Sequence, residues 1–319
     1  MTDKEKYRDL CTHENSIPIY SLDWWLDSVC GADQWDVVLY ASNDDIEATW
    51  PFYLPCPSMT WMPPYTQMLG IWFNPAKENP DYSENLHRKQ TICESLIRQL
   101  PHFRFFSQNF HYTFSDGLPF HWNGFTQTVR YDYLLPDITQ EEKLYNQLND
   151  NLKRNIQKAR KRYRLTVQNA VDVDAFLKVH AQTYQRQGLP AYYQETLKKI
   201  ISVARSRKQG DIWGVFDEKN QLHAAVFIVW QENCGYYVAG GSDREGRQSG
   251  AQVLAMWEAI CAISSFAQSL DFSGSMEPGI ERFFRSFGAM QVPYYTFVKG
   301  TRRLRNRLIF RIRKELKQE

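Results

Sequence analysis

The chain has 319 residues, 43% of them hydrophobic and 23% charged, with a formal net charge of +2. That length suits about two domains with real cores, and near-neutrality argues against a DNA-binding protein. No apolar run approaches the ~20 residues that span a bilayer, the opening MTDKEKYRDL is too polar to read as a signal peptide, and the six cysteines show neither CxxC nor Cys/His metal spacing. A cytoplasmic protein with reduced thiols and no metal is expected.

In chain order, Ser21 is placed to cap a short helix, LDWWLDSVC. Two β-rich runs within residues 36–54 flank turn residues and predict a hairpin. Residues 55–80 are irregular and rich in proline and aromatic residues. A helix over 82–100 stops at Pro101, followed by the strand FRFFSQ and an extended run over 124–135. Thr139 and Glu142 form a capping box for the next helix. Asp150 is placed to cap a basic helix over 151–164, and two more helices follow, the second over 193–208. A second hairpin comprises IWGVF (212–216) and LHAAVFIVW (222–230). YYVAGG (236–241) is a strand, SDREGRQS a loop, and 250–268 a helix. LDF is a strand, DFSGSMEPGIERFFRSFGA a turn with a short helix, and VPYYTFV (292–298) the last strand.

The order hairpin, helix, strand occurs in both halves, with Ile46-Glu47-Ala48 lying over Leu222-His223-Ala224. Two copies of one α/β unit account for this better than a single large sheet does. The domains are expected at 1–135 and 136–300, with a basic tail at 301–319.

Three segments resemble one family. NLKRNIQKARKR resembles the basic helix signature of the FemAB-like branch of the GNAT acyltransferase superfamily. HAAVFIVW, YYVAGG and the following helix resemble the hairpin, donor-binding strand and helix of a GNAT fold. DFSGSMEPGIERFFRSFGA resembles the D-F-x-G … R-F-K-x-x-F-G segment of the same family. The resemblance implies an α/β (α+β) fold of two tandem GNAT-like subdomains, each a mixed, mostly antiparallel sheet flanked by helices. It also implies transfer of an acyl or aminoacyl group onto an amine. The expected donor is acyl-CoA (acetyl-CoA or longer), or an acyl carrier protein. The expected acceptor is an amine of an envelope-related or small-molecule metabolite: an amino sugar, an amino acid or a lipid precursor. The alternatives are an aminoacyl-tRNA-dependent FemAB-like aminoacyltransferase and a catalytically degenerate GNAT-like protein that binds an anion or a membrane.

The residue chemistry adds candidates. A loop entering a helix points free N–H groups and a positive dipole end at an anion. Gly250 and Ala251, with Arg244 and Arg247 adding charge, are therefore candidates for the donor phosphates; an ordinary helix start is the alternative. An attacking amine must lose a proton, and Glu277 and Asp271 flank the Gly-rich turn, with His180 and Glu258 in reserve. Tyr236 or Tyr237 could protonate the leaving thiolate, and strand alternation lets only one face the site; Tyr237 is preferred. Arg282 and Arg285 share one face of a short helix and could hold an anionic group of the acceptor, unless they pair with Glu277 or Glu281. The helix 151–164 carries seven Lys/Arg; it is a solvated face or an anion-binding one, with Arg154 the acceptor candidate and tRNA a lesser alternative.

Residues 302–319 carry eight Lys/Arg against two Glu. Leu304, Leu308, Ile312 and Leu316 recur at helical spacing. This basic amphipathic helix would dock on the protein body or lie on an anionic membrane surface through 302–317, which would place the enzyme peripherally at the inner face of the membrane.

Overall fold

A computed structural model of the chain describes residues 1–42, 45–186 and 192–300. The expected tail helix at 302–319 lies outside the described residues. The chain divides into two compact units: Met1–Arg130 together with the chain from Pro293, and Tyr131–Val292.

The first unit opens with a helix that periodicity did not reveal, α1 (Asp3–His13). It is fixed by a capping box in which Thr2 accepts from the Glu5 N–H and Glu5 accepts from the Thr2 N–H. Helix α2 (Asp23–Val29) follows, with Leu22 rather than Ser21 at the N-cap position. The expected hairpin is present as β1 (Trp35–Ser42) and β2 (Asp45–Tyr53), antiparallel in register Trp35↔Tyr53 through Ala41↔Ile46. The aromatic-rich stretch after it contains the short strands β3 (Met59–Thr60) and β4 (Trp72–Phe73). Helix α3 (Tyr82–Gln99) is capped by Asp81, which accepts from Glu84 N at 2.8 Å. Strand β5 (Phe105–Asn109) and helix α4 (Leu118–Trp122) complete the run. Rings dominate this core: Trp50, Phe106, Phe110, Phe120 and Phe125 are buried edge to face around one another.

Strand β6 (Thr126–Leu135) leads into the second unit. Helix α5 (Glu141–Gln147) starts one residue after Gln140. The expected Thr139–Glu142 capping box does not form, because the Thr139 hydroxyl donates to Asp137 Oδ1 instead. Asn149, not Asp150, caps α6 (Asp150–Gln157), accepting from the N–H groups of Asn151 and Leu152. The basic helix then widens into a π-helical turn over Lys158–Arg162. Then come β7 (Thr166–Gln168), α7 (Val173–Arg186), α8 (Gln194–Ser206), β8 (Gly210–Phe216), β9 (Leu222–Gln231) and β10 (Cys234–Ser242).

The expected loop after β10 is instead a short helix, α9 (Arg244–Ser249), joined through Gly250 to α10 (Ala251–Ile263). Strand β11 (Ser269–Asp271), helix α11 (Pro278–Arg285) and strand β12 (Met290–Gly300) end the described chain. In the second unit the strand order is β6-β11-β10-β9-β8-β7, antiparallel except for the β10–β11 pair. Helix α10 is largely apolar and mostly buried. Its Leu254, Trp257, Ile260 and Ile263 pack with Ala224, Val226 and Ile228 of β9 and with Leu152 and Ile156 of α6. In the first unit, residues Thr296–Gly300 of β12 pair antiparallel with β5.

Among the described residues no helix is long and apolar enough to cross a membrane.

Candidate active site

Parallel strands β10 and β11 pair at only three positions, Cys234↔Ser269, Gly235↔Leu270 and Tyr236↔Asp271. β11 ends there, while β10 runs on to Ser242. At the same point the β9–β10 register shifts between Tyr237 and Ala239; such a bulge bends a strand and raises its twist. Beyond the shared stretch the β10 edge is no longer paired with β11.

Two glycines follow the bulge, and both are dictated by close approach. A Cβ on Gly241 would lie 2.6 Å from His180 Cα, so α7 packs directly on the backbone. A Cβ on Gly240 would lie 2.5 Å from the Tyr237 hydroxyl and 3.1 Å from Gln252 Nε2. Tyr237 and Gln252 thus converge on Gly240. Burial drives the Tyr237 phenol well above its ordinary pKa, so it holds its proton. The Gln252 Oε1 atom is buried without a hydrogen-bond partner among the described residues.

The connector from β10 to α10 is tightly built. Asp243 caps α9, accepting from Gly246 N at 2.6 Å. The guanidinium of Arg247 donates back to the carbonyls of Ser242 (3.1 Å) and Asp243 (3.0 Å), while Arg244 is exposed. Gly250 has φ +88°, and a Cβ there would meet the Asn155 carbonyl oxygen at 2.8 Å. Glycine is therefore required twice over, by conformation and by the approach of α6. Ala251 is fully buried at the first position of α10. Arg154, next to Asn155 in the chain, is exposed.

Asp271 has a partner that spacing along the chain could not reveal. It is fully buried, as is Asp132 of β6, and the two carboxyl groups face each other. Tyr133 N donates to Asp132 Oδ1 at 2.7 Å, and Ser273 N to Asp271 Oδ1 at 2.6 Å. Ser273 and Gly274 take successive positive φ values, 58° and 54°. Burial raises both acids, Asp132 to about 6 and Asp271 further, the Asp132 charge adding to the second shift. Two like charges this close in a dry site cannot both form, so the pair shares a proton.

In α11, Glu277 is exposed at the N-cap position. Arg285 Nε pairs with Glu281 Oε1 at 2.7 Å, and Arg282 Nε donates to Pro278 O at 3.0 Å. Both arginines thus engage their own helix. The side chain between them and the sheet is Phe284, 2% exposed, stacked on Phe272 and 6.0 Å from the Tyr237 ring centroid. Of the reserve candidates, Glu258 forms an ion pair with Arg160, and burial lowers His180 to about 4, leaving it neutral.

Residues 146–285 match the family model for an acetyltransferase (GNAT) domain. The match covers less than half of the chain and marks this stretch as GNAT-like. Among solved structures, FemX is similar over 92% of this chain and 96% of its own, with 12% identity and a TM-score of 0.63. The C-terminal domain of a putative lysylphosphatidylglycerol synthetase from Agrobacterium fabrum covers 96% of this chain and 95% of its own, at 13% identity and a TM-score of 0.55. A tandem GNAT protein from the clavulanic acid biosynthesis pathway covers 93% of this chain and 95% of its own, at 9% identity and a TM-score of 0.50. At these identities the likeness is one of fold: α/β, two tandem GNAT-like subdomains, with the FemAB-like branch represented among the similar structures. No curated protein matches the chain in sequence.

Proposed function

We propose that the protein is an N-acyltransferase that takes an acyl group from acyl-CoA, acetyl-CoA or longer, and passes it to an amine of an envelope-related or small-molecule acceptor. The observation that carries this reading is the end of the β10–β11 pairing at Tyr236 and Asp271. The β10 edge beyond it can hydrogen-bond an extended amide chain such as pantetheine. The donor site belongs, in this reading, to the second subdomain. The start of α10 at Gly250 and Ala251, with Arg244 and Arg247 of α9, receives the pyrophosphate. Gln252 supplies a carboxamide to the buried end of the donor.

Tyr237 holds its proton and can give it to the departing thiolate, so that the C–S bond breaks as the amine nitrogen bonds to the carbonyl carbon. Glu277, exposed at the start of α11, takes the proton from the amine. Asp271, buried and sharing a proton with Asp132, supports the turn beneath it. Arg282, Arg285 and Arg154 are the proposed acceptor contacts. A lipid-linked acceptor is supported by the name of the similar Agrobacterium protein, lysylphosphatidylglycerol synthetase. With such an acceptor the enzyme would work in the cytoplasm at the inner face of the membrane, as part of cell-envelope chemistry.

One observation favours an aminoacyl-tRNA donor instead: Arg154, Lys161 and Arg162 stand exposed on one stretch of α6 and its π-helical extension. Release of free CoA thiol from acetyl-CoA and longer acyl-CoAs, measured with amino sugars, amino acids and aminolipids, separates the two readings. CoA release that depends on an amine supports the acyl-CoA enzyme. Protection of aminoacyl-tRNA by the protein, with no CoA thioester bound, supports the other.

A further inference from the structure

His223 lies on β9 opposite the connector that follows β10, and it is 3% exposed. Its Nδ1 is 2.8 Å from Asp243 Oδ2; its Nε2 is 3.5 Å from Asp217 Oδ2 and 3.8 Å from Glu245 Oε2. The carboxylates belong to two separate pieces of chain. Asp217 organises the β8–β9 turn, accepting from the N–H groups of Lys219 (2.9 Å) and Gln221 (2.8 Å). Asp243 is the N-cap of α9, and Glu245 lies in its first turn. The backbone seals the same contact: Asp243 N donates to His223 O at 3.0 Å, and a Cβ on Gly246 would lie 2.2 Å from that oxygen.

A neutral imidazole has one N–H and one lone pair, so it can donate to only one of these carboxylates and sets its lone pair against the other. The imidazolium donates to both. Burial pulls the ring pKa down, but the hydrogen bonds and charges of Asp243 and Asp217 outweigh it, and the net shift is upward. Other charged groups nearby have their own roles. Glu218 pairs with Arg164, Arg247 donates to main-chain carbonyls, Arg244 and Lys219 are exposed, and α7, packed against β9 and β10, contributes His180, which burial holds neutral.

We propose that His223 is a positioning residue for the donor loop, its imidazolium tying α9, with Arg244 and Arg247, to the β8–β9 turn. This rests on the acyl-CoA reading of that loop. Deprotonation removes one of the two ties, so donor affinity falls as pH rises through the ring's own pKa, while the chemical step at saturating donor is unaffected.

The test is calorimetric titration of acetyl-CoA onto the full chain from pH 5.5 to 8.5, for the wild type, His223→Gln and Asp217→Asn, with the ring titration followed by NMR. The expected result is that wild-type Kd rises by about tenfold across the ring's titration. His223→Gln is flat with pH and weak throughout, with kcat retained at saturating donor. Asp217→Asn lowers the ring pKa and moves the break in Kd with it. Equal affinities and equal pH profiles in wild type and His223→Gln overturn the proposal.

If no form binds acetyl-CoA, the donor reading fails, and amide exchange decides the positioning role alone. Protection over 244–249 that drops above the ring pKa in wild type, and is low at every pH in His223→Gln, supports it. Protection independent of pH and of the substitution overturns it.

Discussion

Tyr236 is the last residue of β10 to pair with β11, and it stands opposite Asp271, the last residue of that strand. The proposed acid and the groups around it lie next to this end point. The bulge, the two glycines, the Tyr237 hydroxyl and the Gln252 amide lie just beyond it on one side, and the turn to α11 on the other.

Tyr237→Phe removes the proposed acid and keeps the ring against Phe284. With an amine acceptor, kcat should fall by roughly 10²-fold or more, with little change in the affinity for acetyl-CoA. Steady-state kinetics with product release monitored check this; an unchanged kcat removes Tyr237 from the mechanism.

Phe284 and Arg285 are neighbours with opposite expected phenotypes. Phe284→Ala empties a buried, stacked position and should cost about 3–5 kcal/mol in chemical denaturation. Arg285→Ala breaks only an exposed pair within one helix turn, so the fold should be as stable as before. Its effect should be a raised KM for the acceptor with the donor KM unchanged.

The Asp132–Asp271 pair makes stability depend on pH in a definite direction. Both folded-state pKa values are raised, so the favourable contribution is complete below the ordinary carboxylate range and is lost as pH rises through about 6 for Asp132 and higher for Asp271. Asp132→Asn removes the like-charge conflict. At pH 8 it should be more stable than wild type by about 1–2 kcal/mol, the worth of one pKa unit or slightly more. The gain should vanish near pH 4. Urea melts at the two pH values measure it.

Gly250→Ala should destabilise the protein by about 1 kcal/mol or more, because a left-handed residue gains a Cβ and that Cβ meets the Asn155 carbonyl. Thermal melts of this variant beside Gly279→Ala, where a Cβ meets nothing within 4 Å, separate the local strain from a general effect of losing glycine.

Strands and most helices were legible because their apolar spacing survives in the sequence: LHAAVFIVW can only be a buried strand, and α10 a buried helix. Helix α9 was not legible, since SDREGRQS has the composition of a loop, and only Asp243 three residues before Gly246 betrays a cap. Gly250 was picked out in the sequence by its place before a helix, but its dependence on Asn155 of α6 is a contact between distant segments. The same holds for Asp132, whose meaning exists only beside Asp271, and for His223, which in the sequence is one polar residue at the start of an apolar run. For Arg282 and Arg285 the sequence offered both an anion-holding reading and a pairing with a neighbouring glutamate, and Arg285 adopts the pairing with Glu281.

The central claim is that an acyl-CoA donor enters where the β10–β11 pairing ends. Hydrogen–deuterium exchange with and without saturating acetyl-CoA tests it most directly. The account predicts added protection in peptides covering 237–242 and 251–254, with the β8–β9 turn little changed. Bound acetyl-CoA that protects neither stretch, or protects only residues outside 234–272, would contradict it.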